Sequence, residues 1–376
     1  MLPYGRQSVD EHDIAAVEAV LRTDFLTTGP EVARFEAAFA ESVGARHAIA
    51  CSSGTAALHL ALLSHGIGKG DVCIAPSITF LATANAIRHT QAEVAFADVD
   101  PDSGLMTPAT LADALSRTDG RRVGAILPVH LRGEVCDLAA LNTLAASAGA
   151  VMIEDAAHAL GSVGPTGPVG SGATACFSFH PVKTICTGEG GMVATQDPEI
   201  AQAAARLRSH GMEPDPDEGP WAYVMSAPGF NYRLPDILCA LGASQLGKLP
   251  AFVARRRALV AAYHDRLLDL APLVRPASTP SGSQAAPHLM TVLIDFEAGG
   301  LSRAGVMASL REQGIGSQVH YIPVHTQPYY RTRYGDLDLA GARRWYERCL
   351  SLPLFPAMAD GDIDRVVGAL AKALGR

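Results

Sequence analysis

Short apolar runs alternate with small-residue helical stretches through the first 240 residues or so, and this alternation limits the possible folds more than any other feature. Residues 123–129 read as a buried strand, and the alanine-rich residues 139–148 as the helix that follows it. Repetition of that unit predicts an α/β class fold, a mostly parallel sheet covered by helices. The 376 residues exceed the roughly 250 to 300 at which a single core usually divides. Two domains are therefore expected, a large one over 1–248 that carries the sheet and a smaller α+β one over 249–376.

Composition removes several function classes. The formal charge is −8, only four of the 30 basic residues are lysines and no basic run exists, so a nucleic-acid partner is not expected. Seven cysteines occur without a C-x-x-C pair or a zinc-like spacing, which argues against a disulfide scaffold or a bound metal. They read as reduced, buried residues of a cytoplasmic protein. The opening Met-Leu-Pro-Tyr-Gly-Arg has no charged segment followed by an apolar one, and no run of 18 apolar residues occurs, so neither secretion nor a membrane span is expected.

In order, residues 10–22 predict a helix with Ile14, Val17, Val20 and Leu21 on one side, and residues 32–43 a second helix after the turn Thr27-Thr-Gly-Pro30. Residues 161–172 and 213–220, rich in Gly, Pro or acidic residues, are expected to be irregular, with Arg206, Arg208 and His210 opening the second polar stretch. Residues 249–270 predict a long helix bearing Arg255, Arg256 and Arg257. Beyond it come strands at 289–294 and 317–322, a helix at 303–313 and a last helix at 362–374.

The chemistry concentrates in a few segments. Lys183 lies between an aromatic run and the turn Gly188-Glu-Gly-Gly191, where desolvation lowers an ammonium pKa and releases a nucleophilic amine. Lys69, Lys248 and Lys372 occupy settings that read as ordinary and solvated. Lys183 is thus either a Schiff-base lysine or a structural or anion-binding one. Ser52-Ser-Gly-Thr-Ala-Ala-Leu58 follows a short strand and starts a helix, which suits a phosphate and equally suits a plain capped helix. Phe80 stands at a strand-to-helix junction, where ligands of open α/β sheets gather, and core packing is the other reading. Residues 150–155 deliver Glu154 and Asp155 on opposite faces of a strand end. The carboxylate facing the cleft could pair with the pyridine nitrogen of pyridoxal phosphate, with His158 able to orient it, and a helix-capping acid beside a satisfied histidine is the other reading.

Together these segments resemble the sugar aminotransferases of the DegT/DnrJ family, which use pyridoxal 5'-phosphate, with pyridoxamine phosphate as its alternate form, on the fold type I scaffold of aspartate aminotransferase. The resemblance rests on Ser52-Ser-Gly-Thr-Ala-Ala-Leu58, Ile153-Glu-Asp-Ala-Ala-His158, Phe177-Ser-Phe-His-Pro-Val-Lys183 with Thr187-Gly-Glu-Gly-Gly191, and Gly229-Phe-Asn-Tyr-Arg233. It implies Lys183 as the Schiff-base residue, Asp155 on the ring nitrogen, Phe80 on the ring face and His158 supporting the pocket. Ser53, Gly54, Thr55 and Ser178 would hold the phosphate, joined by Asn231 from the neighbouring subunit of a homodimer with shared sites. Family members with histidine in place of the lysine are dehydrases, so Lys183 favours transamination.

The opening Leu2-Pro-Tyr-Gly-Arg-Gln7 and Val319-His-Tyr-Ile-Pro-Val-His325 look most like the pseudaminic acid branch. That likeness implies L-glutamate as donor and a UDP-linked keto sugar, UDP-2-acetamido-2,6-dideoxy-β-L-arabino-hexos-4-ulose, as acceptor. Its contacts would be Tyr4, Arg6, Thr28, Glu189, His320, Tyr321 and His325. The neutral Thr184-Ile-Cys-Thr187 and Pro235 depart from that branch's pattern.

Overall fold

The structure is a computed structural model that describes residues 1–376. In chain order its strands are β1 (His47–Cys51), β2 (Val72–Pro76), β3 (Glu93–Ala97), β4 (Val123–Ile126), β5 (Val151–Asp155), β6 (Val163–Gly164), β7 (Gly167–Pro168), β8 (Thr174–Ser178), β9 (Gly191–Thr195), β10 (Met212–Pro214), β11 (Tyr223–Met225), β12 (Val274–Pro276), β13 (Met290–Ile294) and β14 (Cys349–Leu352). Seven of them form the main sheet in the order β1-β9-β8-β5-β4-β2-β3. Only β9 runs against its neighbours, β1 and β8, so the other six point their carboxyl ends to one edge. This is the expected mostly parallel sheet, in the architecture of fold type I.

Burial explains why the strands are unbroken apolar runs. Every residue of β2, β4 and β9 is buried, as a sheet with helices on both faces requires. One core gathers Leu60, Ile74, Phe96 and Ile126 between the sheet and the helices Gly54–Ser64, Leu81–His89 and Pro108–Ser116. On the other face the rings of Phe35, Phe39, Phe177 and Phe179 meet at centroid separations of 5.1 to 6.1 Å. Such tilted and edge-on pairs add to the stabilisation from burial alone. A third core holds Tyr263, Val292, Ile294, Leu350 and Leu370, where the antiparallel sheet β12-β13-β14 meets the helices Leu249–Leu267 and Gly361–Ala373. Trp345, Tyr330 and Leu339 pack on the first core, so the C-terminal part of the chain closes over the main sheet.

Several local expectations are corrected. Residues 161–172 contain the two-residue hairpin β6-β7, and 212–225 contain the hairpin β10-β11, because an edge pair tolerates proline where the N–H faces solvent. Arg206 and Arg208 end the helix Pro198–Arg208. Residues 317–322 form no strand: Gln318 makes a single bridge to Ser351, after which the chain leaves the sheet toward Pro323. In the helix Glu11–Leu21, Val20 is buried, but Ile14 and Leu21 are half exposed. Arg256 is buried, its guanidinium donating to the carbonyls of His288 and Leu354.

Lys248 is no ordinary solvated lysine. Its ammonium pairs with Asp10 and Asp13, and Asp13 is fully buried. Asp13 also accepts from Ser244 Oγ and Gln245 Nε2, each at 2.6 Å, tying the N-terminal helix to the helix Asp236–Gly247. Asp236 plays a similar part at the other end of that helix, capping the amides of Gly29 and Glu31 at 2.8 and 3.0 Å where Gly29 has no side chain to do so. Removal of Asp13 takes the acceptor from three side-chain donors, Ser244, Gln245 and Lys248, and from the Asp10 N–H. Asp13→Ala is expected to lower unfolding free energy by about 2 kcal/mol in urea titrations, and the exposed Asp10→Ala to cost less; equal losses would contradict the role given to Asp13.

Candidate active site

Because β1, β2, β5 and β8 end at the same edge, the residues just past them share one cleft of about 660 Å³. Ser53, Gly54 and Thr55 come from the end of β1, Phe80 from β2, Asp155 and His158 from β5, and Ser178, Lys183 and Glu189 from β8 and its following turn. Tyr4 and, from the C-terminal part, His320 and Tyr321 complete the wall. The crevice at the carboxyl ends of an open α/β sheet is where ligands of such folds bind.

One end of the cleft is built for an anion. Ser53 caps the helix Gly54–Ser64, accepting the Ala56 N–H at 3.1 Å, while its own hydroxyl proton stays free to donate. The first internal bond of that helix runs from Ala57 N–H to Ser53 O at 3.0 Å, so the amides of Gly54 and Thr55 point out of its N-terminus. A Cβ on Gly54 would lie 2.8 Å from the Ser178 Cβ, so only glycine lets Ser178 face this turn. Across from it, a side chain at Gly191 would strike the Ser53 carbonyl, which β9 passes at close range.

Asp155 sits at the base of the cleft, 5% exposed. Its Oδ2 accepts the Thr83 hydroxyl at 2.6 Å and its Oδ1 the Ala157 N–H at 3.1 Å, which fixes the carboxylate plane. Glu154 points to the opposite face, where His130 Nε2 lies 3.0 Å away. His130 Nδ1 accepts the Cys136 N–H at 3.3 Å, so it is Nε2–H that donates to Glu154. Alternation along the strand thus separates a cleft carboxylate from a structural one. Phe80 is 58% exposed, its ring open to the cleft and 6.0 Å from that of Tyr321, which overturns the core-packing alternative.

Burial pulls the Lys183 ammonium down to about 8, with the negative Asp155 acting in the other direction. At neutral pH a useful fraction of the amine is therefore uncharged. The buried His158 is held neutral, by desolvation first and then by the positive Lys183 beside it. No group of histidine, cysteine and carboxylate side chains is arranged to hold a metal ion. No single helix is long and apolar enough to cross a membrane.

The sequence matches the DegT/DnrJ/EryC1/StrS aminotransferase family over residues 7–371. The chain belongs to that family. Among solved structures, this aminotransferase is similar to Helicobacter pylori PseC, an aminotransferase involved in the biosynthesis of pseudoaminic acid, at 28% identity and TM-score 0.92, covering 100% of this chain and 99% of the other. The sugar aminotransferase Spr1654 from Streptococcus pneumoniae, in its PMP form, gives 27% identity and TM-score 0.93 over 100% and 99% of the two chains. TlmJ from Streptoalloteichus hindustanus gives 31% and 0.91 with the same coverage. The protein is a sugar aminotransferase, and the enzymes of its family depend on pyridoxal phosphate. The donors at the N-terminus of the helix Gly54–Ser64, the buried carboxylate, the open aromatic ring and the depressed lysine fit that cofactor's phosphate, ring nitrogen, ring face and aldehyde.

Other candidates in this aminotransferase fall elsewhere. His158 does not bond Asp155: its Nε2 lies 3.2 Å from the Tyr321 hydroxyl and its Nδ1 accepts the Arg132 N–H at 3.3 Å, because the strand end carries its ring past the carboxylate. His325 is buried against Ser77, Nδ1 to Oγ at 2.5 Å, outside the cleft wall. Arg6, Thr28 and Asn231 are exposed and do not line this chain's cleft. Thr28 holds a left-handed φ of 57° in the turn before the helix Pro30–Val43, and Asn231 bridges to Ser209. Sequence reasoning passed over Thr83 and His288. Thr83 was legible in principle, lying one helical turn after Phe80, whereas nothing in its neighbourhood marks His288.

The depressed lysine has a direct consequence. Capture of pyridoxal phosphate by cofactor-free protein, followed by absorbance, is expected to accelerate up to about pH 8 and to level off above it, as the reactive free base saturates. A rate that keeps rising toward pH 10 would contradict the buried setting.

Proposed function

We propose that this protein moves an amino group from L-glutamate to C4 of a UDP-linked 4-keto-6-deoxy-N-acetylhexosamine, UDP-2-acetamido-2,6-dideoxy-β-L-arabino-hexos-4-ulose, giving UDP-4-amino-4,6-dideoxy-N-acetyl-β-L-altrosamine. The observation that carries the reaction type is a depressed lysine sharing one cleft with a buried carboxylate, an open aromatic ring and a helix N-terminus. The likeness to PseC over essentially the full length of both chains supports the sugar.

In this reading residues 1–248 form the cofactor domain and 249–376 the smaller one, and the protein works in the cytoplasm as a homodimer. Pyridoxal phosphate supplies the electron sink that lets a proton leave the carbon bearing nitrogen. Lys183 would hold the cofactor, and its amine would move that proton as a general base and then a general acid. Asp155, aligned by Thr83, keeps the ring nitrogen protonated through a charge-assisted bond. Phe80 covers one ring face. Ser53, Gly54, Thr55 and Ser178 bind the phosphate, with Asn231 reaching it from the partner subunit. Tyr4, Glu189, His320 and Tyr321 line the sugar side of the cleft. Arg6 and Thr28, exposed in one chain, would have to meet the sugar diphosphate across the dimer; the net charge of −8 means that attraction comes from local arginines.

A half-reaction tests the sugar. The enzyme is loaded as its pyridoxamine phosphate form and offered the L-arabino and D-xylo 4-keto epimers while the cofactor's absorbance is followed. The L-arabino sugar is expected to react at least tenfold faster, because a site built on directed hydrogen bonds rejects an epimer that leaves them unpaired. Preference for the D-xylo sugar, or for a dTDP-linked one, would overturn the named substrate and leave the aminotransferase standing.

A further inference from the structure

His288 stands in the cleft wall, 4% exposed. Its main chain is pinned from both sides, the N–H donating to Arg132 O at 2.8 Å and the carbonyl accepting from the Arg256 guanidinium at 3.3 Å. The ring lies against that of His158, centroids 4.3 Å apart. Its Nδ1 is sealed from solvent and has no hydrogen-bond partner, so Nε2 is the nitrogen left open toward the cleft. A sealed N–H without an acceptor is costlier and rarer than an unused lone pair. The neutral ring therefore carries its proton on Nε2. Burial, together with the positive groups around it, Lys183 and Arg256, and the rings of His158 and His320, keeps it neutral.

A second donor is set by the neighbouring histidine. Arg132 and Gly133 take left-handed φ values of 65° and 93°, and this turn aims the Arg132 N–H at His158 Nδ1, 3.3 Å away. With Nδ1 accepting, the proton of His158 is on Nε2, and it donates to the Tyr321 oxygen at 3.2 Å. Tyr321 is thereby an acceptor on its inner side, and its own O–H is free to turn into the cleft.

We propose that His288 is a substrate-positioning residue, and that its Nε2–H and the Tyr321 O–H form a pair of neutral donors for one carbonyl oxygen of the sugar. This rests on the keto-sugar reading above. Two neutral donors match the two lone pairs of an uncharged carbonyl oxygen, so the pair can hold it without a counter-charge.

The test combines kinetics with tautomer assignment in the holoenzyme. In the keto-sugar half-reaction His288→Leu is expected to raise the half-saturating sugar concentration about tenfold, with the limiting rate within about threefold of wild type. His288→Gln, which keeps an N–H donor at similar reach, is expected to stay within about threefold on both. Cofactor absorbance and melting temperature verify that each variant is folded. Nitrogen-15 spectra of histidine-labelled holoenzyme are expected to show both His158 and His288 as Nε2–H tautomers. An unchanged sugar dependence in His288→Leu, or a His288 proton on Nδ1, would overturn the proposal. Wild-type enzyme that accepts no keto sugar would instead overturn the proposed substrate, an outcome no comparison among His288 variants can imitate.

Discussion

The site depends on one reversed strand. β9 runs antiparallel between β1 and β8, with Cys51 opposite Gly191 and Ser178 opposite the same glycine. That pairing folds the segment 179–190 back over the sheet's carboxyl edge and brings Lys183 to the turn that opens the helix Gly54–Ser64. The approach works only because Gly191 has no side chain to meet the Ser53 carbonyl, and Gly54 none to meet Ser178. Two glycines thus let three chain segments, far apart in sequence, share one small volume.

Electrostatics in that volume are set by desolvation more than by ion pairing. One ammonium, Lys183, is surrounded by histidines whose charged forms are disfavoured: His158, His288 and His320, the last pulled down to about 3 by burial and then by Lys183. Asp155 supplies the negative charge at the base, aligned by two hydrogen bonds. The result is a cleft with one amine, one carboxylate and several neutral donors. Such an arrangement suits proton movement on a bound cofactor, because the Lys183 amine can both release and take up a proton near neutral pH while the histidines around it stay neutral.

The sheet was legible because parallel strands covered on both faces must be apolar throughout, as β2 and β4 are. Lys183, Asp155 and the Ser53–Gly54–Thr55 turn were legible because strand ends, glycine turns and residue type coincide there. What the sequence hid depended on long-range contacts. Lys248 reads as a surface residue until the helix Glu11–Leu21 brings Asp13 beneath it, 235 positions away. His325 reads like His320, yet one packs on Ser77 and the other faces the cleft. His158 sits three residues past Asp155, but its partners, Arg132 and Tyr321, come from other segments. A hydrogen-bond partner is a property of the fold, and spacing along the chain does not encode it.

In the proposed function Lys183 is the amine that bonds the cofactor. Borohydride reduction of the holoenzyme, followed by peptide mass mapping, tests it most directly, because the chain offers only three other lysines. The pyridoxyl group is expected on Lys183 alone, with no covalent cofactor in Lys183→Ala. A pyridoxyl group on Lys69, Lys248 or Lys372 of the native protein would contradict it.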